Sequence, residues 1–339
     1  GSPKKWLPKL LHPLTLADRQ IFADYLARAY RRLQFQTDFV TLPSAYAFAS
    51  HYIWRDFFDF YWAIWDGYFC LFAKQAEDYF MPIAPFGDYS YPKAKNSTDT
   101  ENFVSVLDRA FNFMLSQSQR PHIVRIENMP ILLCSLLPEA GTNSTSASKR
   151  FHAAETETEF IYRRQKLVDL RGNTYKSKRH AINTFKAAYP SAEVSPYSPN
   201  KAEDCLRLYQ QWSTSRAKTF PDQVYRALLE YSSLAHRIGL QMADNLNLFG
   251  LVVKIACRIC AYTLGYALGP DTFCVLFEVT DLRYPGLAQF IFRQLCAQRT
   301  EKWINVMGDS RLQNLTRVKM SYRPSRLEKC FALRLTNEA

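Results

Sequence analysis

The segment from residue 273 to residue 288 joins a buried strand to the start of a helix and carries polar side chains at the junction. Free N–H groups at a helix start face outward and attract anions. Gly286 and Ala288 are small enough to let a phosphate or a substrate backbone approach, and Arg283 adds a positive charge. The spacing therefore predicts an anion site at this turn.

Glu278 and Asp281 lie at the C-terminal end of the same strand. Carboxylates in such positions are the groups that accept protons or bind ammonium ions in many active sites. The alternative is that both are ordinary solvated carboxylates at a strand end, and the charge pattern leaves that interpretation open.

Two further segments concentrate basic and polar residues. Residues 162–185 begin a helix with a basic face, and residues 303–324 combine a strand, a polar loop and a short helix. The candidate binding residues in these segments are Lys178, Arg179, Asn305, Asp309, Arg317, Lys319 and Ser321, with Tyr322 as a hydrogen-bond or proton donor. Without other information, Lys178 and Arg179 fit a charged helix face equally well, and Tyr322 fits a packing residue.

The elements that must position these residues follow an α/β order in both halves of the chain. At 339 residues the chain exceeds one hydrophobic core, so two domains are expected. Residues 138–148 are rich in Gly, Ser, Thr and Asn, which is typical of a linker. We therefore predict domains at 1–150 and 151–339, each a mixed central sheet flanked by helices (α/β, or α+β).

The charge predicts a polyanionic partner. Lys and Arg number 43 against 31 Asp and Glu, which gives a net charge of +12. Nucleic acid, an anionic membrane surface and a phosphate-bearing cofactor all satisfy this excess. No apolar run reaches the roughly 18–20 residues of a membrane-spanning helix, so we expect a protein that is cytoplasmic or peripheral at the inner face of the membrane.

The eight cysteines mostly lie in apolar runs, which favours reduced thiols in a cytoplasmic protein. Cys257 and Cys260 have CxxC spacing, but residues 250–264 are predicted as a strand, on which these thiols would point to opposite faces. We therefore predict no metal site.

Three motifs together resemble the phosphatidylglycerol lysyltransferase C-terminal domain family. They are a Y-x-x-K-R-x-x-I-N-x-F helix, an F-E-x-x-D strand end, and an N-x-x-x-D stretch followed by K-x-S-Y-x-P. The matching residues are Tyr175, Lys178, Arg179, Ile182, Asn183 and Phe185; Phe277, Glu278 and Asp281; and Asn305, Asp309, Lys319, Ser321, Tyr322 and Pro324. Arg283, Gly286 and Ala288 also match the R/Q-x-x-G-x-G/A pattern of GNAT acyltransferases.

The resemblance implies two GNAT domains in tandem, with catalysis mainly in the second, and transfer of an aminoacyl group from aminoacyl-tRNA to a lipid hydroxyl. It implies proton acceptors or ammonium ligands at Glu278 and Asp281, and phosphate or oxyanion ligands at Arg283, Gly286 and Lys319. Aminoacyl-tRNA would be a co-substrate and no cofactor is expected. The expected partners are the tRNA acceptor arm, an anionic lipid or membrane surface, and a small-molecule acceptor.

The chain departs from the family pattern at Met307, Ser310, Arg311, Asn314 and Thr316. These residues fall in the expected substrate pocket, so the aminoacyl group or the acceptor can differ from lysine and phosphatidylglycerol. Two alternatives stay open. One is an N-acyltransferase that uses acyl-CoA and a small amine, since the Arg283 turn would hold a pyrophosphate as well. The other is a non-catalytic nucleic-acid or membrane adaptor.

Overall fold

A computed structural model describes residues 11–34, 42–89, 99–137, 151–220 and 222–336. The chain forms two compact units. The first unit takes Gly1–Val40, Phe58–Thr156 and Cys330–Ala339, and the second takes Thr41–Phe57 and Glu157–Lys329. The predicted linker at 138–148 and the predicted boundary at residue 150 lie outside the described residues.

Strands and helices are mixed along the described part of the chain. The strands are β1 (His12–Pro13), β2 (Asp59–Trp65), β3 (Tyr68–Gln75), β4 (Asp78–Phe80), β5 (Phe86–Gly87), β6 (Ile126–Pro130), β7 (Phe151–Arg163), β8 (Glu193–Pro196), β9 (Phe249–Ile255), β10 (Arg258–Leu268), β11 (Thr272–Thr280), β12 (Trp303–Asn305) and β13 (Arg326–Leu335). The α-helices are α1 (Arg19–Gln34), α2 (Phe48–Tyr52), α3 (Asp99–Gln117), α4 (Ile131–Cys134), α5 (Arg164–Asp169), α6 (Lys176–Ala188), α7 (Ala202–Thr219), α8 (Gln223–Gln241), α9 (Leu287–Gln298) and α10 (Gln313–Ser321). Short 3₁₀ helices occur at Leu16–Asp18, Pro121–Ile123, Asn173–Tyr175 and Pro199–Lys201.

The first unit is built on an aromatic sheet of order β1-β2-β3-β4, with β5 also paired to β3. Asp66 and Gly67 both have left-handed backbones, with φ of 48° and 82°, as a two-residue hairpin turn requires. Trp62 and Phe69 stack on the sheet with ring centroids 5.1 Å apart, and this packing contributes to the core of the unit.

The second unit contains a sheet of order β7-β12-β11-β10-β9-β8. Strands β9, β10 and β11 form an antiparallel meander, and β12 pairs parallel to β11 after the chain passes through α9. Helices α6 and α9 cover one face of this sheet, where Phe185 and Ile291 are fully buried. Helices α7 and α8 cover the other face, where His236 of α8 stacks on Phe277 of β11.

Strand β11 contains a bulge that changes which face its side chains occupy. Leu264 pairs with Phe277 and Gly265 pairs with Val275, so Leu276 is the extra residue. Side chains alternate along a strand, and one extra residue inverts the alternation. Val275 therefore faces α9, and Glu278 faces the same side three residues later.

Strands β11 and β12 separate after a short parallel pairing that ends at Cys274 and Asn305. β11 continues to Thr280, while the chain after β12 stays with β7: the Val306 amide donates to Phe160 O at 3.0 Å. A cleft therefore opens between the second half of β11 and the chain that follows β12. We call it the β11–β12 cleft.

The predicted continuous strand over residues 250–264 is wrong. Ala256 and Cys257 have φ of 47° and 63°, and they form the hairpin turn between β9 and β10. Two left-handed residues reverse the chain, so Cys257 is exposed on the turn while Cys260 is buried in β10. In the described part of the chain, no helix combines the length and the apolar character needed to cross a membrane.

Candidate active site

Glu278 is the residue on which the β11–β12 cleft is centred. Its side chain is reached by solvent, yet the surrounding protein desolvates the carboxylate and raises its pKa from 4.5 to about 8. The positive charge of Lys319 opposes this shift. Within the described residues, Glu278 makes no hydrogen bond or ion pair, so its carboxyl group is available to a ligand in the cleft.

Lys319 enters the cleft from α10. Its ammonium group donates to Val306 O at 2.6 Å and to Gly308 O, the carbonyls that follow the end of β12. Burial lowers the pKa of Lys319, while the nearby carboxylates of Glu157 and Asp309 oppose that shift. An ammonium group has three N–H donors. Two are used on the carbonyls, which leaves one for a ligand.

The motif on α6 meets the end of α10. Lys178 Nζ donates to Ser321 Oγ at 2.6 Å and lies 4.2 Å from the centre of the Tyr322 ring. The Tyr175 hydroxyl donates to Tyr322 O at 3.1 Å. Burial and the charge of Glu278 both raise the pKa of Tyr322. Tyr322 thus stays protonated beside the cleft, and its hydroxyl can donate a hydrogen bond.

Asp281 and Arg283 lie on the other face of the sheet. The Asp281 carboxylate accepts Arg283 Nε at 3.0 Å and Nη2 at 2.7 Å, and these bonds lower its pKa. Both residues line a pocket of about 390 Å³ against α7, together with Arg258 and Trp212. An ionised carboxylate already paired with a guanidinium is a weak proton acceptor. The structure therefore does not bring Asp281 together with Glu278.

Gly286 and Ala288 begin α9 on the side of α6. A side-chain carbon at Gly286, where φ is +85°, would lie 2.3 Å from the Ala181 carbonyl oxygen of α6. Glycine at this position therefore permits close packing of the two helices. Ala288 is exposed. Arg179 lies away from the cleft and donates to the carbonyls of Leu170 and Gly172, the latter at 2.7 Å.

A buried polar network lies behind the cleft. Asn305 is fully buried and donates through Nδ2 to Glu159 Oε2 at 2.8 Å, while its own Oδ1 accepts the Met307 amide at 2.7 Å. Glu159 also accepts the amide of Ser44 at 3.0 Å and the Ser44 hydroxyl. Burial raises the pKa of Glu159. Asn305 therefore fixes the chain that carries the carbonyls holding Lys319.

Glu159 and Ser44 were missed by the sequence analysis. The available signal was a run of glutamates at alternate positions, 155, 157 and 159, that enters the apolar stretch Phe160–Tyr162. Alternation on a strand places such residues on one face. Nothing in the sequence connects them to Ser44, because that contact spans more than a hundred residues.

Asp309 lies just before α10, and Arg317 lies on the outer side of that helix. The Asp309 carboxylate accepts the Arg311 amide at 2.9 Å and the Thr316 hydroxyl, and hydrogen bonds from these groups lower its pKa. Arg317 is exposed to solvent. In the described residues, no group of three or more His, Cys, Asp or Glu side chains could hold a metal ion.

The cleft therefore contains a carboxyl group that can exchange protons near neutral pH, an ammonium group with a spare donor, and a protonated phenol. It lies where two parallel strands separate in a mixed α/β sheet. These features fit the site of an acyltransferase, and the predicted mixed α/β fold class is confirmed.

The chain belongs to the phosphatidylglycerol lysyltransferase, C-terminal family, whose sequence profile matches residues 38–334. A conserved protein of unknown function from Bacteroides thetaiotaomicron VPI-5482 has a similar structure, with a TM-score of 0.74, 22% identity, and coverage of 96% of this chain and 99% of that chain. The L-PGS of Bacillus licheniformis has a TM-score of 0.56 and 12% identity, and the match covers 92% of each chain. No curated protein sequence matches the chain.

Proposed function

We propose that this protein transfers an aminoacyl group from aminoacyl-tRNA to a hydroxyl group of a lipid or lipid-like acceptor. The observation that carries the proposal is Glu278, a solvent-reached carboxyl group whose pKa is raised to about 8 in the β11–β12 cleft. General bases and acids work best when their pKa lies near the operating pH. Membership of a family named for lysyl transfer to phosphatidylglycerol supports the choice of an aminoacyl group and a lipid acceptor.

The reaction exchanges one ester for another, and Glu278 would accept and return the proton of the attacking hydroxyl. The acceptor hydroxyl attacks the aminoacyl carbonyl carbon while the Glu278 carboxylate takes the hydroxyl proton. The resulting tetrahedral oxyanion collapses, the bond to the tRNA ribose oxygen breaks, and that oxygen receives the proton from Glu278. One group thus serves as base and then as acid, and no proton is gained or lost overall.

Lys319 would stabilise the negative charge that develops on the carbonyl oxygen. Its ammonium group is fixed by the carbonyls of Val306 and Gly308, so it needs no reorganisation during the reaction. Lys178 adds a second positive charge at Tyr322. A partly buried site strengthens both interactions, because few water molecules screen them.

Two anionic partners fit the net charge of +12. The phosphates of a tRNA acceptor arm and the head groups of anionic lipids would both be attracted, and both contacts should weaken with added salt. In this proposal the protein works at the inner surface of a membrane, with aminoacyl-tRNA as co-substrate and no bound cofactor.

The test is transfer of label from tRNA to lipid. The purified protein is incubated with a tRNA pool charged with radiolabelled amino acids and with total lipid vesicles, and the lipids are analysed by mass spectrometry. A new aminoacylated lipid that is missing with Glu278→Gln supports the proposal. Tight binding of acetyl-CoA by calorimetry, with no transfer from tRNA, would favour the acyl-CoA alternative instead. Unchanged transfer in Glu278→Gln would contradict the assigned mechanism.

A further inference from the structure

The hairpin between α7 and α8 carries an unusual concentration of exposed apolar side chains. Nine large apolar residues are exposed in the described part of the chain, and four of them lie between residues 220 and 231. They are Phe220, Val224, Leu228 and Tyr231, with exposed fractions between 37% and 69%. We call these four residues the hairpin patch. Exposed apolar groups that cluster in this way mark interaction surfaces.

The patch follows one side of a helix. Val224, Leu228 and Tyr231 have the spacing i, i+4 and i+7, which places them along one stripe of α8. Phe220 stands at the end of α7, with its ring centroid 5.5 Å from that of Tyr225. The apolar stripe therefore begins at the hairpin tip and continues for about two turns of α8.

Positive charges surround the tip. Lys218 and Arg226 are exposed and make no ion pair among the described residues, and Arg216 lies 6.0 Å from the Phe220 ring centre. The acids on the same turns of α8 are Asp222, whose carboxylate caps the helix by accepting the Val224 amide, and Glu230. A second copy docked about a two-fold axis through the tip would bring the same positive groups of both chains into one interface. An anionic bilayer surface would complement them.

The patch is also continuous with the Asp281 pocket. Trp212 lines that pocket, and the Arg216 guanidinium lies 5.6 Å from the Trp212 ring and 6.0 Å from the Phe220 ring. Residues 212, 216 and 220 are separated by one helical turn each, so they form a single row along α7. The row joins the hairpin tip to the C-terminal end of β11.

We propose that the hairpin patch is an interfacial membrane anchor, which inserts Phe220, Val224 and Leu228 among the head groups of an anionic bilayer. Aromatic and aliphatic side chains on one side of a helix, with flanking Lys and Arg, are the features of segments that lie in the membrane interface. The inference rests on the proposed function for its membrane setting, but its test is separate, because vesicle binding requires neither tRNA nor transfer.

The experiment is co-sedimentation of the whole protein with vesicles of phosphatidylcholine alone or with added phosphatidylglycerol. We expect the wild-type protein to bind the anionic vesicles. The affinity should fall about tenfold in Val224→Ser/Leu228→Ser, because these substitutions remove apolar area that the bilayer covers. Lys218→Gln/Arg226→Gln should lose the preference for anionic vesicles. The matched control is Ile131→Ser/Leu327→Ser, which removes equally exposed apolar groups elsewhere and should bind as the wild type does.

Three outcomes would overturn the proposal. The first is that the wild-type protein does not bind vesicles. The second is that the patch variant and the control variant lose vesicle binding equally. The third is that the patch variant loses self-association while its vesicle binding is unchanged. The last would assign the patch to a second copy of the chain. Thermal unfolding of each variant shows whether its fold is intact. Vesicle binding without aminoacyl transfer would contradict only the proposed function. Transfer to a soluble acceptor without vesicle binding would contradict only the membrane anchor.

Discussion

Glu278 and Asp281 are three residues apart in the chain and lie on opposite faces of the same sheet. Glu278 faces the cleft beside Lys319, and its pKa is raised; Asp281 faces α7 and pairs with Arg283, which lowers its pKa. Residues three apart on a strand point to opposite faces, and the bulge at Leu276 decides which of the two faces α9. The two carboxylates therefore have separate environments and, in this account, separate roles.

Asp281→Asn should keep the pH dependence of the reaction. The substitution removes the partner of Arg283 but leaves the cleft unchanged, so the rising limb of kcat/KM against pH should keep its midpoint. The measurement is transfer rate across pH for the wild type and Asp281→Asn. A shifted or missing limb in this variant would mean that Asp281 shares the proton with Glu278.

Glu278→Gln should make the protein more stable than the wild type at high pH. The pKa of Glu278 is raised from 4.5 to about 8 in the folded protein, so folding favours the protonated carboxyl group. The contribution of this group to stability is fully present below pH 4.5 and is lost as the pH rises toward about 8. The Tm of the wild type should therefore fall relative to that of Glu278→Gln across this window. Parallel Tm curves would show that Glu278 has an ordinary pKa.

Lys319→Met should impair both stability and catalysis. The carbonyls of Val306 and Gly308 lose their donor, which costs about 1–3 kcal/mol of unfolding free energy for half-buried polar groups. Without the Lys319 charge, the pKa of Glu278 should rise further. The transfer rate should therefore begin to rise at a higher pH than in the wild type. Urea unfolding and the pH–rate profile measure the two effects.

The matched control for that substitution is Arg317→Met, an exposed side chain on the same helix. It should change the unfolding free energy by less than about 0.5 kcal/mol. Equal effects of the two substitutions would argue against a specific role for the Lys319 contacts.

Gly286→Ala should destabilise the protein more than Gly67→Ala. Both glycines have a positive φ, +85° and +82°, but a new methyl group meets the Ala181 carbonyl only at Gly286, whereas nothing lies within 4 Å of it at Gly67. Gly67→Ala should cost about 1 kcal/mol from backbone strain, and Gly286→Ala about 1–3 kcal/mol more from overpacking. Urea midpoints compare the two. Equal costs would show that Gly286 is not needed for helix packing.

Much of the second unit could be predicted from its sequence. The strand that ends near Glu278 and runs into α9 was predicted, and the family motifs located Lys178, Ser321 and Tyr322, which meet at the end of α10. That Glu278 and Asp281 point to opposite faces follows from the alternation of side chains along a strand. Which of the two faces α9 could not be predicted, because it depends on the extra residue Leu276, which no local pattern marks.

Long-range contacts are a second reason why parts of the site could not be predicted from the sequence. The Glu159 network depends on Ser44, which a separate segment brings into the second unit. A local pairing, between Arg283 and Asp281 two residues apart, replaced the open anion site that the glycine-containing turn predicted.

The most direct test of the central claim is single-turnover aminoacyl transfer by the wild type and Glu278→Gln across pH. The account predicts a wild-type rate that rises with an apparent pKa of about 8, and a Glu278→Gln rate that is lower by about 10²–10⁴ and does not rise in that range. A Glu278→Gln variant that keeps the same rising limb would contradict the assignment of Glu278 as the group that moves the proton.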